Sequence, residues 1–372
     1  MELIDEDTLR MLHDSASDFT RGSASRVRKA RELDLKYDRE VWRHIAAQGW
    51  ISAVIPAERG GLGMGNVSVN IIAAQMGRAA LLEPYVTAGI LPAALLSGCT
   101  PGSALDARLA ALASGELMCA VAWQDVAGSL DPNDTPLRAT PDGHDIVLNG
   151  TAQYVMACGL DAVIALAMGP GGLQLYWVPT TAAQMSIERH KSADRGEAAT
   201  IVFDALRVPR QDCLDTGPAV ETAMNAAINA ALVAISAELN GAAETMVEMT
   251  LDYLRTRHQF NKPIGSFQAL KHRAVDLWVH TEISKEAARR AAHDLDNAGL
   301  SSRAHAAQAS GAKARASDTA LLVGKQAIQL HGAIGVTDEY DLSLYFNRAI
   351  VLSAYLGNSA VHRARYAHYR TR

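Results

Sequence analysis

Beyond residue 217 the chain adopts one helical period and keeps it to the end. Leu232, Ile235, Leu239, Ala242, Met246, Met249 and Tyr253 recur at intervals of three or four residues, which puts them on one face of a long helix. Pro263 and Gly265, in the run NKPIGS, end that helix, and the next begins after them. Further alanine-rich helical segments run over 301–330 and 341–369. Four long helices with short connections must bury their apolar faces against one another, so residues 216–372 are expected to form a four-helix bundle.

The remainder divides into two patterns. Residues 1–115 also read as helical, with Val41, Trp42, Ile45 and Ala46 on one side of a helix. In this stretch Pro56, Gly60, Gly61, Gly63 and Gly65 crowd into a loop. That loop follows no strand and lacks the GxGxxG spacing, so a sharp structural turn is the better reading than a dinucleotide fingerprint. Residues 116–215 switch to short β-rich runs, HDIVLNGTAQYV, DAVIALAM, LQLYWVP and ATIVFDALRV, separated by Gly, Pro and Asp. No helix-length segment lies between them, which suits a barrel or sandwich and not alternating βαβ units. The expected class is α+β in three domains, 1–115, 116–215 and 216–372, and 372 residues suffice for them.

A net charge of -5 supplies no broad cationic field for a phosphate backbone, so no nucleic-acid partner is expected. Cys99, Cys119, Cys158 and Cys213 form no CxxC pair and there is no HExxH helix, so four buried thiols are expected and no metal site. The acidic start, MELIDEDTLRMLHDSASD, is unlike a signal peptide, and no run of about 18 apolar residues is apparent. A cytoplasmic protein without membrane insertion is expected.

Two stretches concentrate chemistry. Residues 253–273, YLRTRHQFNKPIGSFQALKHR, set Arg255, Arg257, Lys262, Lys271, His272 and Arg273 around Phe260, Phe267, Gln259 and Gln268 at a helix break. Guanidinium forks match phosphate oxygens, and aromatic faces with amide edges suit adenine, so a nucleotide pyrophosphate is a reasonable ligand; a solvated basic face with two core phenylalanines is the plainer alternative. Residues 326–349 follow a helix with Gly332 and Gly335, which permit close backbone approach, and add Gln329 and His331. An ordinary glycine stop beside a satisfied histidine explains them equally well.

Together these stretches resemble the acyl-CoA dehydrogenase family over essentially the whole chain. The pattern RxQFxxPIxxFQxxKH matches Arg257, Gln259, Phe260, Pro263, Ile264, Phe267, Gln268, Lys271 and His272. The pattern QxHGxxGxTxEYxL matches Gln329, His331, Gly332, Gly335, Thr337, Glu339, Tyr340 and Leu342. The resemblance implies a helical domain, a β domain and a four-helix bundle, with FAD held at a subunit interface. It implies that Arg257, Phe260 and Gln268 hold the pyrophosphate and adenosine, with Gln329 and Gly332 lining the same part. Family chemistry removes the α-proton of an acyl-CoA with a glutamate while the β-hydride passes to flavin.

Against that pattern the chain departs at the reacting end. The segment that reads YEGT in most members is Tyr355, Leu356, Gly357 and Asn358, and the alternative base position, one helix earlier, is Ala231 with Leu232 beside it. Neither Leu356 nor Ala231 accepts a proton, so no catalytic residue is assigned. The run that normally reads threonine, glutamate, proline and then AGSD keeps only Ala127, Gly128 and Ser129, in a stretch from Trp123 through Gln124, Asp125 and Val126 to Leu130. Tyr154, Val155 and Met156 stand where a tryptophan, an isoleucine and a hydroxyl residue usually face the flavin. The resemblance is therefore to the subunit that lacks its own base in heteromeric α2β2 acyl-CoA dehydrogenases of bacterial steroid degradation. Such a chain completes the FAD site of a homologous partner with an intact glutamate, and the acyl-CoA binds in the partner's site. The alternatives are an autonomous flavoenzyme with altered chemistry, for which Glu238, Glu244 and Asp125 are candidate groups, and a scaffold without FAD. Glu238 lies about two turns from Ala231 and reads as structural.

Overall fold

The computed structural model describes residues 5–32, 37–156 and 159–371. Six helices come first: α1 (Glu6–Thr20), α2 (Ser23–Glu32), α3 (Arg39–Ala47), α4 (Gly65–Arg78), α5 (Leu91–Gly98) and α6 (Ser103–Ala113). Eight strands follow: β1 (Cys119–Ala122), β2 (Arg138–Asp142), β3 (Asp145–Met156), β4 (Ala162–Gly169), β5 (Gly172–Pro179), β6 (Met185–Lys191), β7 (Glu197–Pro209) and β8 (Cys213–Thr216). The rest is α7 (Pro218–Thr256), the short strands β9 (His258–Gln259) and β10 (Lys262–Pro263), α8 (Gln268–Leu295), α9 (Ser302–His331), α10 (Leu342–Ala354) and α11 (Ser359–Arg370). Contacts divide the chain into two compact units, one of residues 35–69 and 82–231, the other of residues 1–34, 70–81 and 232–372.

In the first unit Asp38 starts α3 by accepting the Glu40 N–H at 2.8 Å, satisfying a donor the helix cannot pair itself. The helix buries Trp42, Ile45 and Ala46, three of the four apolar residues expected to share a side. The glycine-rich loop is a tight turn: a Cβ on Gly61 would lie 2.1 Å from the Ile55 carbonyl oxygen. The sheet runs β6-β7-β3-β2-β4-β5-β8, with β1 added in parallel to β4. Only Arg138 and Met168 join β2 to β4, so two mainly antiparallel groups of strands meet at one residue pair. Their inner faces bury Leu148, Val163, Ala165, Tyr176, Ile201 and Phe203 together. The four β-rich runs became β3, β4, β5 and β7; β1, β2, β6 and β8 were not anticipated. Three of those are short and β6 is mostly exposed, so each lacks the alternation that marks a half-buried strand.

In the second unit α4 and α7 touch backbone to backbone. A Cβ on Gly77 would sit 1.9 Å from the Glu238 carbonyl oxygen, and one on Gly241 2.0 Å from that of Ala74. Arg78 then pairs with Glu244 and Glu248, each at 2.8 Å. Asn240 and Ser284 exchange hydrogen bonds between α7 and α8, at 3.0 and 2.5 Å. The alanines of α9 admit their neighbours closely, and a Cβ on Gly324 would meet the Phe346 ring of α10 at 2.1 Å. By length and composition α7 could cross a membrane, yet 72% of its apolar window is buried within the protein, as befits a core helix.

Two expectations are corrected. The single helix expected over 341–369 is two helices, α10 and α11, separated by a break at 355–358. Cys99 and Cys119 are buried, and burial pushes each thiol up to about 12, but Cys213 is half-buried. It sits on the edge strand β8, where one side meets solvent. Cys158 lies outside the described residues.

Candidate functional site

The basic and aromatic cluster is organised by a hairpin. In it β9 and β10 pair antiparallel with Gln259 opposite Lys262, which leaves Phe260 and Asn261 as the two-residue loop. Both are left-handed, with φ of 53° and 60°, as the favoured two-residue turn requires. Asparagine adopts this conformation readily, whereas a bulky residue there is strained. The Phe260 ring is nonetheless 84% exposed. It rests edge-on against Phe267, with ring centroids 6.0 Å apart, while Lys262 Nζ lies 4.2 Å from the Phe267 centroid. Strain and exposure combined in one aromatic residue are costs that a folding role does not repay.

The hairpin is tied to α7 by the Ile264 N–H, which donates to the Arg257 carbonyl at 2.8 Å. Arg257 is exposed, and its guanidinium has no ion-pair partner among the described residues, whereas the neighbouring Arg255 is paired with Asp252 at 3.0 Å. Gln268 is the first residue of α8, also exposed, and no side chain caps that helix. Its first N–H groups are left to solvent or a ligand.

At the end of α9, Gln329 and Gly332 are exposed, and Gly332 takes a φ of 67°. His331 between them is buried. Its Nδ1 donates to the Ala327 carbonyl at 2.8 Å, and its Nε2 then accepts from the Tyr340 hydroxyl at 3.1 Å. Desolvation lowers its pKa, which favours this neutral form. The imidazole lies 4.6 Å from the Tyr253 ring and 5.0 Å from that of Tyr340. His331 is thus a satisfied structural residue, as its plainer reading held. Its stacking on Tyr253 sets the end of α9 beside the end of α7, the two termini that carry Gln329 and Arg257.

The groups that the resemblance assigns to the reacting end are each committed elsewhere, in both units. Leu356 is 2% exposed and Ala231 is fully buried in α7, so both expected base positions are filled by packed aliphatic carbon. Glu238 is buried against Arg348, 2.7 Å from its Nη2 and 2.8 Å from its Nε, which settles it as a structural ion pair. Burial raises the pKa of Glu244, but Lys285 at 2.6 Å and Arg78 at 2.8 Å outweigh it and hold the carboxyl below its ordinary value. Asp125 accepts the Ser129 N–H at 3.1 Å and so braces its own loop. Gln124 Nε2 donates to the carbonyls of Gly128 and Ser129, at 3.1 and 3.2 Å. Tyr154 is left-handed, with φ of 58°, at a bulge in β3, and its hydroxyl donates to the Val126 carbonyl at 2.9 Å. Val155 is buried.

Fit to FAD therefore differs along the molecule. The exposed, unpaired Arg257, the bare Phe260 ring and the uncapped start of α8 suit a pyrophosphate and adenosine. Around Tyr154 the polar groups are turned onto the protein's own backbone. Sequence reading missed a buried pair, Lys313 of α9 and His362 of α11. A signal existed for Lys313, which shares its helix face with Ala309, Ala316 and Ala320, all buried.

Comparison with known proteins agrees with this fold. The family model for the acyl-CoA dehydrogenase N-terminal domain matches residues 6–101, and that for the C-terminal domain matches residues 220–369. The acyl-CoA dehydrogenase IpdE2 of Mycobacterium tuberculosis is 31% identical over 325 residues, covering 87% of this chain and 84% of that one. IpdE2 of Mycolicibacterium smegmatis is 30% identical over 334 residues, covering 88% and 86%. Among solved structures, the Tcur3481–Tcur3483 steroid ACAD superposes with a TM-score of 0.84 at 25% identity over 98% of both chains. Butyryl-CoA dehydrogenase of Megasphaera elsdenii, with a TM-score of 0.89 at 19% identity over 100% of both, shares the fold. The helix, sheet, helix order is that of the acyl-CoA dehydrogenase fold. The chain belongs to the acyl-CoA dehydrogenase family.

Proposed function

We propose that this chain is the subunit of a heteromeric acyl-CoA dehydrogenase that completes the FAD site of a homologous partner, without contributing a catalytic base of its own. One contrast carries this reading: Leu356 is packed away where a carboxylate is expected, while Arg257, Phe260 and Gln268 stand exposed. FAD, when bound, supplies the two-electron acceptor for α,β-dehydrogenation of the acyl-CoA. Arg257 neutralises the pyrophosphate, Phe260 offers a face to the adenine, and Gln268 adds an amide and the free N–H groups of α8. Gln329 and Gly332 line the same part, where the glycine lets backbone approach. Proton abstraction falls to the partner's glutamate.

A partner is supported by the exposed face of α8. Val275, Trp278, Val279 and Ile283 recur along it at helical spacing, with Trp278 53% exposed. A stripe of this kind, starting about two turns into α8, suits burial against another chain. The likeness to the Tcur3481–Tcur3483 steroid ACAD supports an unlike pair and a steroid side-chain thioester as the substrate class. Domain boundaries near 115 and 215 belong to the same reading, as does a cytoplasmic protein with reduced thiols.

The test is production of the chain alone and from its native host through an affinity tag. Alone it should lack flavin and should not reduce FAD on addition of an acyl-CoA; from the host it should bring down a homologue carrying the glutamate. A yellow homomer that bleaches with acyl-CoA would overturn the reading. In the host complex, Arg257→Ala should weaken FAD retention about ten- to hundredfold, the worth of a charge-assisted hydrogen bond.

A further inference from the structure

The break between α10 and α11 is built around a buried lysine. Lys313 is fully buried in α9. Its Nζ donates to Ser317 Oγ at 3.1 Å, to the Ser353 carbonyl at 3.2 Å and to the Gly357 carbonyl at 3.1 Å. Three acceptors use all the donors of an ammonium, and two of them are carbonyls around the break. From α11, His362 donates its Nε2–H to the Leu356 carbonyl at 2.8 Å. Lys313 and His362 therefore grip consecutive parts of one turn.

What they grip is strained. Leu356 has φ of 52°, a left-handed conformation that a leucine adopts only at a cost, yet its side chain is buried. Gly357 follows at φ of 95°, and a Cβ there would crowd the His362 ring, 3.2 Å from Nε2. Local sequence does not favour this turn, since glycine occupies the second of the two left-handed positions and leucine the first. The lysine is also costly in itself. Among the described residues no carboxylate bonds it: its bonds go to a hydroxyl and two carbonyls, and the nearby His362 is kept neutral by burial. Two costs meeting at one four-residue break indicate a conformation that the fold maintains against local preference.

We infer that Lys313 is a positioning residue: with His362 it clasps the α10–α11 break and holds residue 356 left-handed with its side chain turned into the protein. The clasp acts on backbone carbonyls, so it sets residue 356 whatever side chain is there, and it stands or falls independently of the partner and FAD reading. Substitutions at 356 are therefore presented in a fixed place.

Amide hydrogen exchange on the full chain tests this, read residue by residue for Lys313→Met. The Tyr355 and Gly357 amides, which bond the Val351 and Ala354 carbonyls, should exchange at least tenfold faster, while amides of α8 change less than twofold. Leu356→Gly placed on Lys313→Met should restore much of the lost protection, because glycine takes the left-handed turn unaided. Acceleration spread evenly through the bundle, unchanged exchange at the break, or no rescue by glycine would each overturn the inference. If Lys313→Met does not fold, Lys313→Gln, which removes the charge and a donor but keeps a polar side chain, is read in the same way: the Tyr355 and Gly357 amides should exchange faster while those of α8 do not, and unchanged exchange at the break would overturn the inference.

Discussion

At the scale of single residues, this protein places charge in its interior in two different ways. Glu238 and Arg348 answer each other directly, so removal of either breaks a buried ion pair. Glu238→Ala should cost about 3–5 kcal/mol in denaturant unfolding, and replacing both by leucine should cost markedly less. Among the described residues no carboxylate pairs with Lys313, and burial pushes its ammonium down to about 7 from an ordinary 10.5. The unfolded chain then binds more protons than the folded one between those values. Lys313 accordingly adds stability as pH rises from about 7 toward 10.5, with a slope of up to about 1.4 kcal/mol per pH unit, and that gain is lost as pH falls through 7. Unfolding of wild type and Lys313→Met across this range checks it: the difference between them should carry the slope, and parallel curves would contradict it.

At the scale of elements, helix contacts and helix breaks decide the architecture. Because Gly77 and Gly241 each face a carbonyl at about van der Waals exclusion, Gly241→Ala must force α4 from α7, and a loss of at least about 1–3 kcal/mol is expected in thermal unfolding. The long helices were legible in sequence because their apolar residues repeat without interruption, as from Leu232 to Tyr253. The break at 355–358 carries a local signal, Gly357 at φ of 95° followed by Asn358, whose side chain caps α11, but the left-handed Leu356 was not legible, since the groups that bond its turn, Lys313 and His362, lie apart from it in sequence. The strands read correctly were the long buried ones. Short β1, β2 and β8 carry too few residues to show a period, and their pairing is set by neighbours distant in sequence. The hairpin of β9 and β10 was legible as a helix stop through Pro263 and Gly265, but the left-handed Phe260 was not, since phenylalanine carries no signal for that conformation.

At the scale of the molecule, the family was written in two motifs, and the structure adds which of the candidate residues are exposed and which are buried. Arg257, Phe260, Gln268, Gln329 and Gly332 were all legible as candidates, and all five are exposed. Their exposure could not be read from spacing, because it is set by how the hairpin and the ends of α7 and α9 pack. Leu356 and Ala231 were read from the resemblance as standing where a carboxylate is expected, and both side chains are buried. Phe260→Ala should leave folding unaffected while weakening FAD retention in the assembled complex by roughly five- to tenfold, as loss of an aromatic stacking face of about 1 kcal/mol or slightly more implies. Unchanged flavin content in that variant would remove the hairpin from the site.

The most direct measurement is the flavin content of the complex purified from the native host through a tag on this chain, read against the amounts of each polypeptide by mass spectrometry. The account requires one FAD for each unlike pair of acyl-CoA dehydrogenase chains, with the glutamate on the other chain. A complex containing this chain only, with one FAD for every copy, would contradict it.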